Sequence, residues 1–82
     1  MEIELNRINP FYKHPYGQYD KKLYRKTIAD LKKKILQGQK FNAVIIQKKQ
    51  NNRFYNLLDG FCRYMAFKEL GFEKIDSKIL DL

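Results

Sequence analysis

The sequence has little of what usually braces or anchors a small protein. Its 82 residues include no tryptophan and a single cysteine. Because a disulfide needs two cysteines, an intrachain disulfide is excluded. One histidine and one cysteine cannot form a zinc site of the ordinary four-ligand type. No run of about 18 apolar residues occurs, so no membrane segment is predicted. The fold must depend on apolar packing, to which the aromatic residues, 15% of the chain, contribute much buried area.

Signals for targeting and for the common kinds of catalysis are also missing. Residues 1–4 are acidic and lack the apolar core of a secretion signal, so we expect a cytoplasmic protein. There is neither a Walker A loop nor a nucleophile-elbow serine, and the carboxylates show no catalytic pairing. The length predicts a single domain over residues 1–82 with a thin core.

Charge of one sign predominates, with 17 Lys and Arg residues against 9 Asp and Glu and a net charge of +8. Such a field attracts polyanions and indicates nucleic acid as a partner. The candidate surface for it is Lys32, Lys33 and Lys34. A second interpretation stays open, because 13 lysines against 4 arginines are also typical of a genome with biased nucleotide composition.

Periodicity and glycines predict an α+β domain with a mixed β-sheet of about four strands and two main helices. Apolar residues recur every three or four positions in two segments, which predicts two amphipathic helices. Gly38 follows the first of these segments and Gly71 the second, and glycine is a common residue at the end of a helix. Asp20 suits the N-cap of the first helix, and Pro10 ends the first strand. The predicted elements are a strand over residues 2–5, a loop over 11–19, a helix over 21–37, a hairpin of strands over 43–47 and 53–58, a helix over 61–70 and a strand over 74–80.

The segment 58–64 predicts a strand that passes through glycine directly into a helix. The first amides of such a helix have no acceptor inside it, and with the positive end of its dipole they form an anion site. Gly60 lets backbone approach a ligand closely, and Arg63 in the first turn can grip a phosphate with two hydrogen bonds. Asp59 can orient a ligand hydroxyl or a metal ion. In a competing interpretation, Asp59 caps the helix and Arg63 is a surface residue.

Two boxes of residues resemble the N-terminal domain of ParB proteins, in the ParB/sulfiredoxin superfamily. The second ParB box has a glycine, an arginine three residues later, an alanine and then leucine-glycine. The first box has Asn-Pro before an aromatic residue. The matching residues here are Gly60, Arg63, Ala66, Leu70 and Gly71 in the second box and Asn9, Pro10 and Phe11 in the first.

The resemblance implies a nucleotide site. In this superfamily ParB proteins bind and hydrolyse CTP, sulfiredoxin uses ATP, and a free serine kinase uses ADP or ATP, so CTP or ATP with Mg²⁺ is the implied cofactor. It also implies phosphate contacts from Gly60 and Arg63, with Asp59 and Tyr64 as neighbours. The opposite wall is expected from Asn9 and Pro10, and His14 stands where the family usually has an arginine. The candidate site therefore consists of seven residues: Asn9, Pro10, His14, Asp59, Gly60, Arg63 and Tyr64.

Departures from the family pattern bear on catalysis. ParB has glutamate-arginine where this chain has Phe61-Cys62, so one phosphate-binding arginine is missing. Sulfiredoxin has its catalytic cysteine in Gly-Cys-His-Arg-Tyr, where Phe61 stands here and Cys62 replaces the histidine. One residue along a helix turns a side chain by about 100°. We therefore interpret Cys62 as a structural cysteine. The sequence also ends at Leu82 without ParB's helix-turn-helix domain, so operator recognition is not expected.

Three functions remain open from the sequence. The leading hypothesis is a stand-alone ParB-like domain that binds a nucleotide or the phosphates of nucleic acid at residues 59–63. The second is an enzyme of this superfamily, a weak nuclease or a nucleotide hydrolase or kinase. The third is a protein-interaction module that has lost the ligand, acting as a homodimer or with a separately encoded partner protein.

Overall fold

Two helices and five strands make up the computed structural model, which describes residues 1–12, 21–48 and 53–80. Neither helix in these ranges is long and apolar enough to cross a membrane. The predicted N-cap Asp20 lies outside the described residues. The elements are β1 (Glu2–Glu4), a 3-10 turn (Leu5–Arg7), β2 (Ile8–Asn9), α1 (Lys21–Leu36), β3 (Val44–Lys48), β4 (Tyr55–Asp59), α2 (Phe61–Glu69) and β5 (Lys74–Leu80).

The strands form one mixed sheet in the order β1-β5-β3-β4-β2. The hairpin of β3 and β4 is antiparallel, as predicted, and so is the β1–β5 pair, whereas β3–β5 and β2–β4 are parallel. The α+β prediction is confirmed, but the sheet has five strands instead of about four. The additional strand is β2, where Ile8 and Asn9 pair with Tyr55 and Asn56.

The first strand is shorter than predicted. It ends at Glu4 because the chain turns into the 3-10 segment, where the amide of Leu5 donates to the carbonyl of Glu73 at 2.9 Å. Leu5 remains buried, so the alternating pattern correctly identified a residue that faces the core. The other predicted helices and strands agree with the structure to within one or two residues. Most of the predicted loop over 11–19 lies outside the described residues.

The core lies between one face of the sheet and α2. Alternate residues of β3 and β4 are buried, as expected for strands with a single covered face. Helix α1 packs on α2, with the Tyr24 and Phe61 rings edge to face at 5.3 Å and an ion pair of 3.0 Å between Lys32 and Glu69. The core cluster comprises Ile3, Leu5, Ile8, Val44, Ile46, Tyr55, Leu57, Phe61, Tyr64 and Ile75.

Tyr64 connects α2 to the segment that leads from β1 into β2. Its ring is 2% exposed, and its hydroxyl donates to the carbonyl of Leu5 at 2.8 Å. The carbonyl of Ile8 lies 3.4 Å from the same hydroxyl. One buried side chain thus satisfies backbone acceptors in the segment that leads from β1 into β2.

Gly60 makes the connection between β4 and α2. Its backbone φ of 99° lies in a region that residues other than glycine rarely adopt. A Cβ added there would lie 2.6 Å from Cγ1 of Val44, so the turn packs directly against β3. The predicted break at this glycine therefore has both a conformational and a steric cause.

Gly60→Ala is expected to lower the free energy of unfolding by about 2 kcal/mol or more, since strain and overpacking act together. Gly38→Ala is the matched control, because Gly38 also has a positive φ of 83° but nothing within 4 Å of an added Cβ. It should cost about 1 kcal/mol. Urea unfolding of both variants measures the difference, and equal losses would contradict the packing argument.

Tyr64→Phe is expected to destabilise the fold by about 1–2 kcal/mol, because it removes the donor to a buried carbonyl. Tyr55→Phe is the control, since Tyr55 is also buried, at 6% exposure, but its hydroxyl makes no hydrogen bond with the described residues. Urea unfolding should show little change for Tyr55→Phe. A similar loss in both would show that the Leu5 contact contributes nothing.

Candidate functional site

A cleft of about 400 Å³ opens beside the β4–α2 turn. Helix α1 forms one of its sides, and Pro10, which follows β2, forms another. Among the described residues, the lining is mostly apolar and contains one cation and one carboxylate. The lining residues are Pro10, Tyr24, Leu31, Leu57, Leu58, Asp59, Gly60, Phe61, Cys62 and Arg63.

The start of α2 lies at this cleft. The first backbone bond of the helix runs from the amide of Tyr64 to the carbonyl of Gly60 at 2.9 Å. The amides of Cys62 and Arg63 precede that bond, and the helix dipole places partial positive charge there. Gly60 is the N-cap, and no side chain in the described part of the chain caps the helix. The competing interpretation of Asp59 as the cap is therefore wrong, because Asp59 is still the last residue of β4.

Arg63 folds back over the turn. Its Nη1 donates to the carbonyl of Asn42, and its Nη2 lies 3.9 Å from Oδ2 of Asp59. The same Nη2 is 3.1 Å from the position that a Cβ of Gly60 would take. The side chain is 21% exposed, so Arg63 is held in place and is not a free surface residue. A guanidinium has five N–H donors, which leaves capacity for an anion at the cleft.

Tyr64 and Asn9 do not line the cleft. The Tyr64 ring points into the core, and burial raises the pKa of its phenol, so the group stays a protonated donor. Oδ1 of Asn9 accepts from the amide of Phe11 at 3.0 Å, which closes the turn around Pro10. Pro10 itself is in the lining. Asn9 thus acts on the cleft through the backbone that follows it.

The other predicted site residues lie elsewhere. His14 lies outside the described residues. Lys33 and Lys34 are exposed on α1, and Lys32 is paired with Glu69. None of these three lysines lines the cleft.

Cys62 lines the cleft and is half-buried. Burial raises the pKa of its thiol, which opposes the thiolate form that a nucleophile needs. A raised thiol pKa agrees with the interpretation of Cys62 as a structural cysteine. Among the described residues, no three His, Cys, Asp or Glu side chains come together as a metal site.

Sequence reasoning missed the contribution of α1 to the cleft. Tyr24 and Leu31 line it, and both are among the apolar residues that recur every three or four positions along the helix. Asn42, whose carbonyl holds Arg63, was also missed. The periodicity of α1 could have identified Tyr24 and Leu31 as inward-facing, but not which surface they face.

Solved structures share this architecture, although no protein-family model and no curated protein matches the chain. Sulfiredoxin from Arabidopsis thaliana matches with a TM-score of 0.76 at 22% identity, over 100% of this chain and 84% of that one. ParB from Caulobacter crescentus, complexed with CTP-γ-S, matches with a TM-score of 0.77 at 13% identity, over 100% of this chain and 44% of that one.

A free serine kinase in complex with AMP matches with a TM-score of 0.72 at 23% identity, over 99% of this chain. The chain spans 30% of that kinase, so it corresponds to one part of a larger protein there. Identities this low show the fold alone. The predicted resemblance is confirmed at that level, and the chain has the ParB/sulfiredoxin-like fold.

Proposed function

We propose that the chain is a ParB-like domain that binds a nucleotide in the cleft, with the phosphates at the start of α2. The observation that carries the proposal is the arrangement of Gly60 and Arg63. Backbone without a Cβ lies at the helix start, and a positioned guanidinium lies directly over it. A phosphate there accepts from backbone amides and from arginine at once, which is the usual chemistry of a phosphate site.

The rest of the cleft suits the nucleoside. Tyr24, Phe61 and Pro10 offer apolar and aromatic surface on which a planar base can pack. A volume of about 400 Å³ lies within the range of about 300–1,000 Å³ for small-molecule sites. ParB with CTP-γ-S and the kinase with AMP and ADP share the fold, which supports a nucleotide as the ligand.

Asp59 has two roles in this proposal. Its carboxylate is exposed and close to Arg63, so it repels a phosphate when no metal ion is present. With Mg²⁺ the same carboxylate would help to hold the ion, because Mg²⁺ is commonly bound by one or two carboxylates together with substrate phosphates. The donor set at the mouth of the cleft therefore fits a Mg²⁺ that arrives with a nucleoside triphosphate.

The proposed activity is binding, and no residue is assigned a catalytic role. Phe61 occupies the position of sulfiredoxin's catalytic cysteine, and burial raises the pKa of the Cys62 thiol. A nucleotide hydrolase or kinase-like activity remains the second candidate, supported by the kinase that shares the fold.

Arg63→Ala is expected to abolish the thermal stabilisation that CTP, ATP or ADP gives to the wild type, because Arg63 is the only cationic side chain among the described residues that line the cleft. Each variant is compared with its own ligand-free melting temperature, since loss of the Asn42 contact also lowers basal stability. Arg63→Lys is the matched control and should retain part of the shift, as it keeps the charge but not the fork geometry.

The wild-type protein must show a melting-temperature shift with at least one of the three nucleotides, with or without Mg²⁺. Absence of any shift would overturn the proposal. An Arg63→Ala variant with an undiminished shift would place the nucleotide elsewhere.

Asp59→Asn separates the two roles of the carboxylate. In EDTA the variant is expected to bind nucleotide about threefold more tightly, because a negative charge that also pairs with Arg63 has been removed. In Mg²⁺ it should lose the gain in affinity that the ion gives to the wild type. Isothermal titration of CTP and ATP under both conditions measures this, and an unchanged Mg²⁺ dependence would exclude Asp59 as a metal ligand.

A further inference from the structure

Helix α1 holds most of the excess positive charge. Residues 21–36 contain seven lysines and arginines and a single carboxylate, Asp30. The remaining 66 residues contain ten cationic and eight acidic residues, which nearly balance. A biased genome composition would spread lysines along the chain, so this concentration in one helix points to a local cause.

The charges of α1 lie on the side away from the domain. At 100° per residue, Lys22, Lys26 and Lys33 share one line along the helix, opposite Ile28, which is 4% exposed. All three lysines are exposed, and so is Arg25 beside them. With a rise of about 1.5 Å per residue, this basic face (Lys22, Arg25, Lys26 and Lys33) is about 16 Å long.

The folded chain leaves much of this charge unneutralised. Lys32, which lies to one side, pairs with Glu69 of α2. Lys26, Lys33 and Arg25 make no ion pair with any residue that the structure describes. Charges placed side by side without partners repel one another and cost stability, so a ligand of opposite charge would relieve that repulsion.

We propose that the basic face of α1 binds the phosphate backbone of a nucleic-acid duplex without sequence preference. Over about 16 Å a duplex presents roughly five phosphates on each strand, enough to meet Arg25, Lys26 and Lys33. Lysines serve as point charges and carry no base-reading geometry.

Two features of the face favour a duplex over its alternatives. The side chain between Lys26 and Lys33 is the exposed Ala29, and the face has no aromatic residue on which an unpaired base could stack, as single-strand binding uses. An anionic membrane is disfavoured because a helix at a lipid surface needs its apolar face in the lipid. Tyr24, Ile28, Leu31 and Ile35 are covered wholly or in part by the rest of the domain instead, and only Leu23 and Leu36 of the described large apolar residues of α1 are exposed.

This surface is separate from the nucleotide cleft. The cleft takes Tyr24 and Leu31 from the inner side of α1, whereas the basic face is on the outer side. Duplex binding therefore does not depend on Arg63. It is an additional function and would stand if no nucleotide bound.

The test is the salt dependence of binding to a fluorescein-labelled 20-base-pair duplex, followed by anisotropy. Lys26→Gln/Lys33→Gln should reduce the slope of log K against log salt by about 2, since each phosphate contact contributes about 0.9. Affinity at low salt should fall about tenfold or more. Glutamine has nearly the helix propensity of lysine, so the fold is retained, and the melting temperature checks this.

The control is Lys48→Gln/Lys78→Gln, which removes the same charge from exposed positions on β3 and β5. It should leave the slope unchanged, and Arg63→Ala should retain the wild-type affinity. Equal losses in both lysine pairs, or no duplex binding by the wild type at low salt, would overturn the proposal. Tighter binding of the single strand would do so as well. Lysine-dependent binding to phosphatidylserine vesicles without duplex binding would assign the face to membranes instead.

Discussion

The contact between the Gly60 turn and the side chain of Val44 constrains much of the structure. Because no Cβ separates them, α2 begins directly at the end of β4 and lies over the sheet. This position brings Tyr64 over the carbonyl of Leu5 and turns Arg63 toward the carbonyl of Asn42. The same absence of a side chain leaves backbone accessible to a ligand. Fold and candidate site thus depend on a single residue.

Successive residues of the first turn of α2 serve different purposes because each is rotated by about 100° from the last. Phe61 enters the core and meets Tyr24, Cys62 borders the cleft, Arg63 covers the turn and Tyr64 is buried beneath. A side chain moved by one position along this turn would therefore lie in its neighbour's surroundings. At the position that Cys62 takes, burial raises the pKa of the thiol, which opposes the thiolate form.

Local patterns in the sequence were enough to predict the helices, the hairpin, the final strand and the glycine break. They could not reveal β2, because two residues carry no periodicity and their pairing with Tyr55 and Asn56 joins distant parts of the chain. The capping role given to Asp59 failed because Gly60 takes the cap. The periodicity of α1 is enough to place Tyr24 on the inner side of the helix, but the position of Tyr24 in the cleft depends on how α1 packs on α2, which periodicity does not encode.

The two proposed anion sites lie on opposite sides of α1 and suit different ligands. The cleft offers directed donors and an apolar wall for one small molecule, whereas the outer face offers only an array of point charges. An NMR titration of the backbone amides tests the central claim most directly. CTP or ATP should shift the amides of Gly60, Cys62 and Arg63, while cytidine and adenosine should leave them nearly unchanged. Shifts confined to the lysines of α1, or none at all, would contradict a phosphate site at the start of α2.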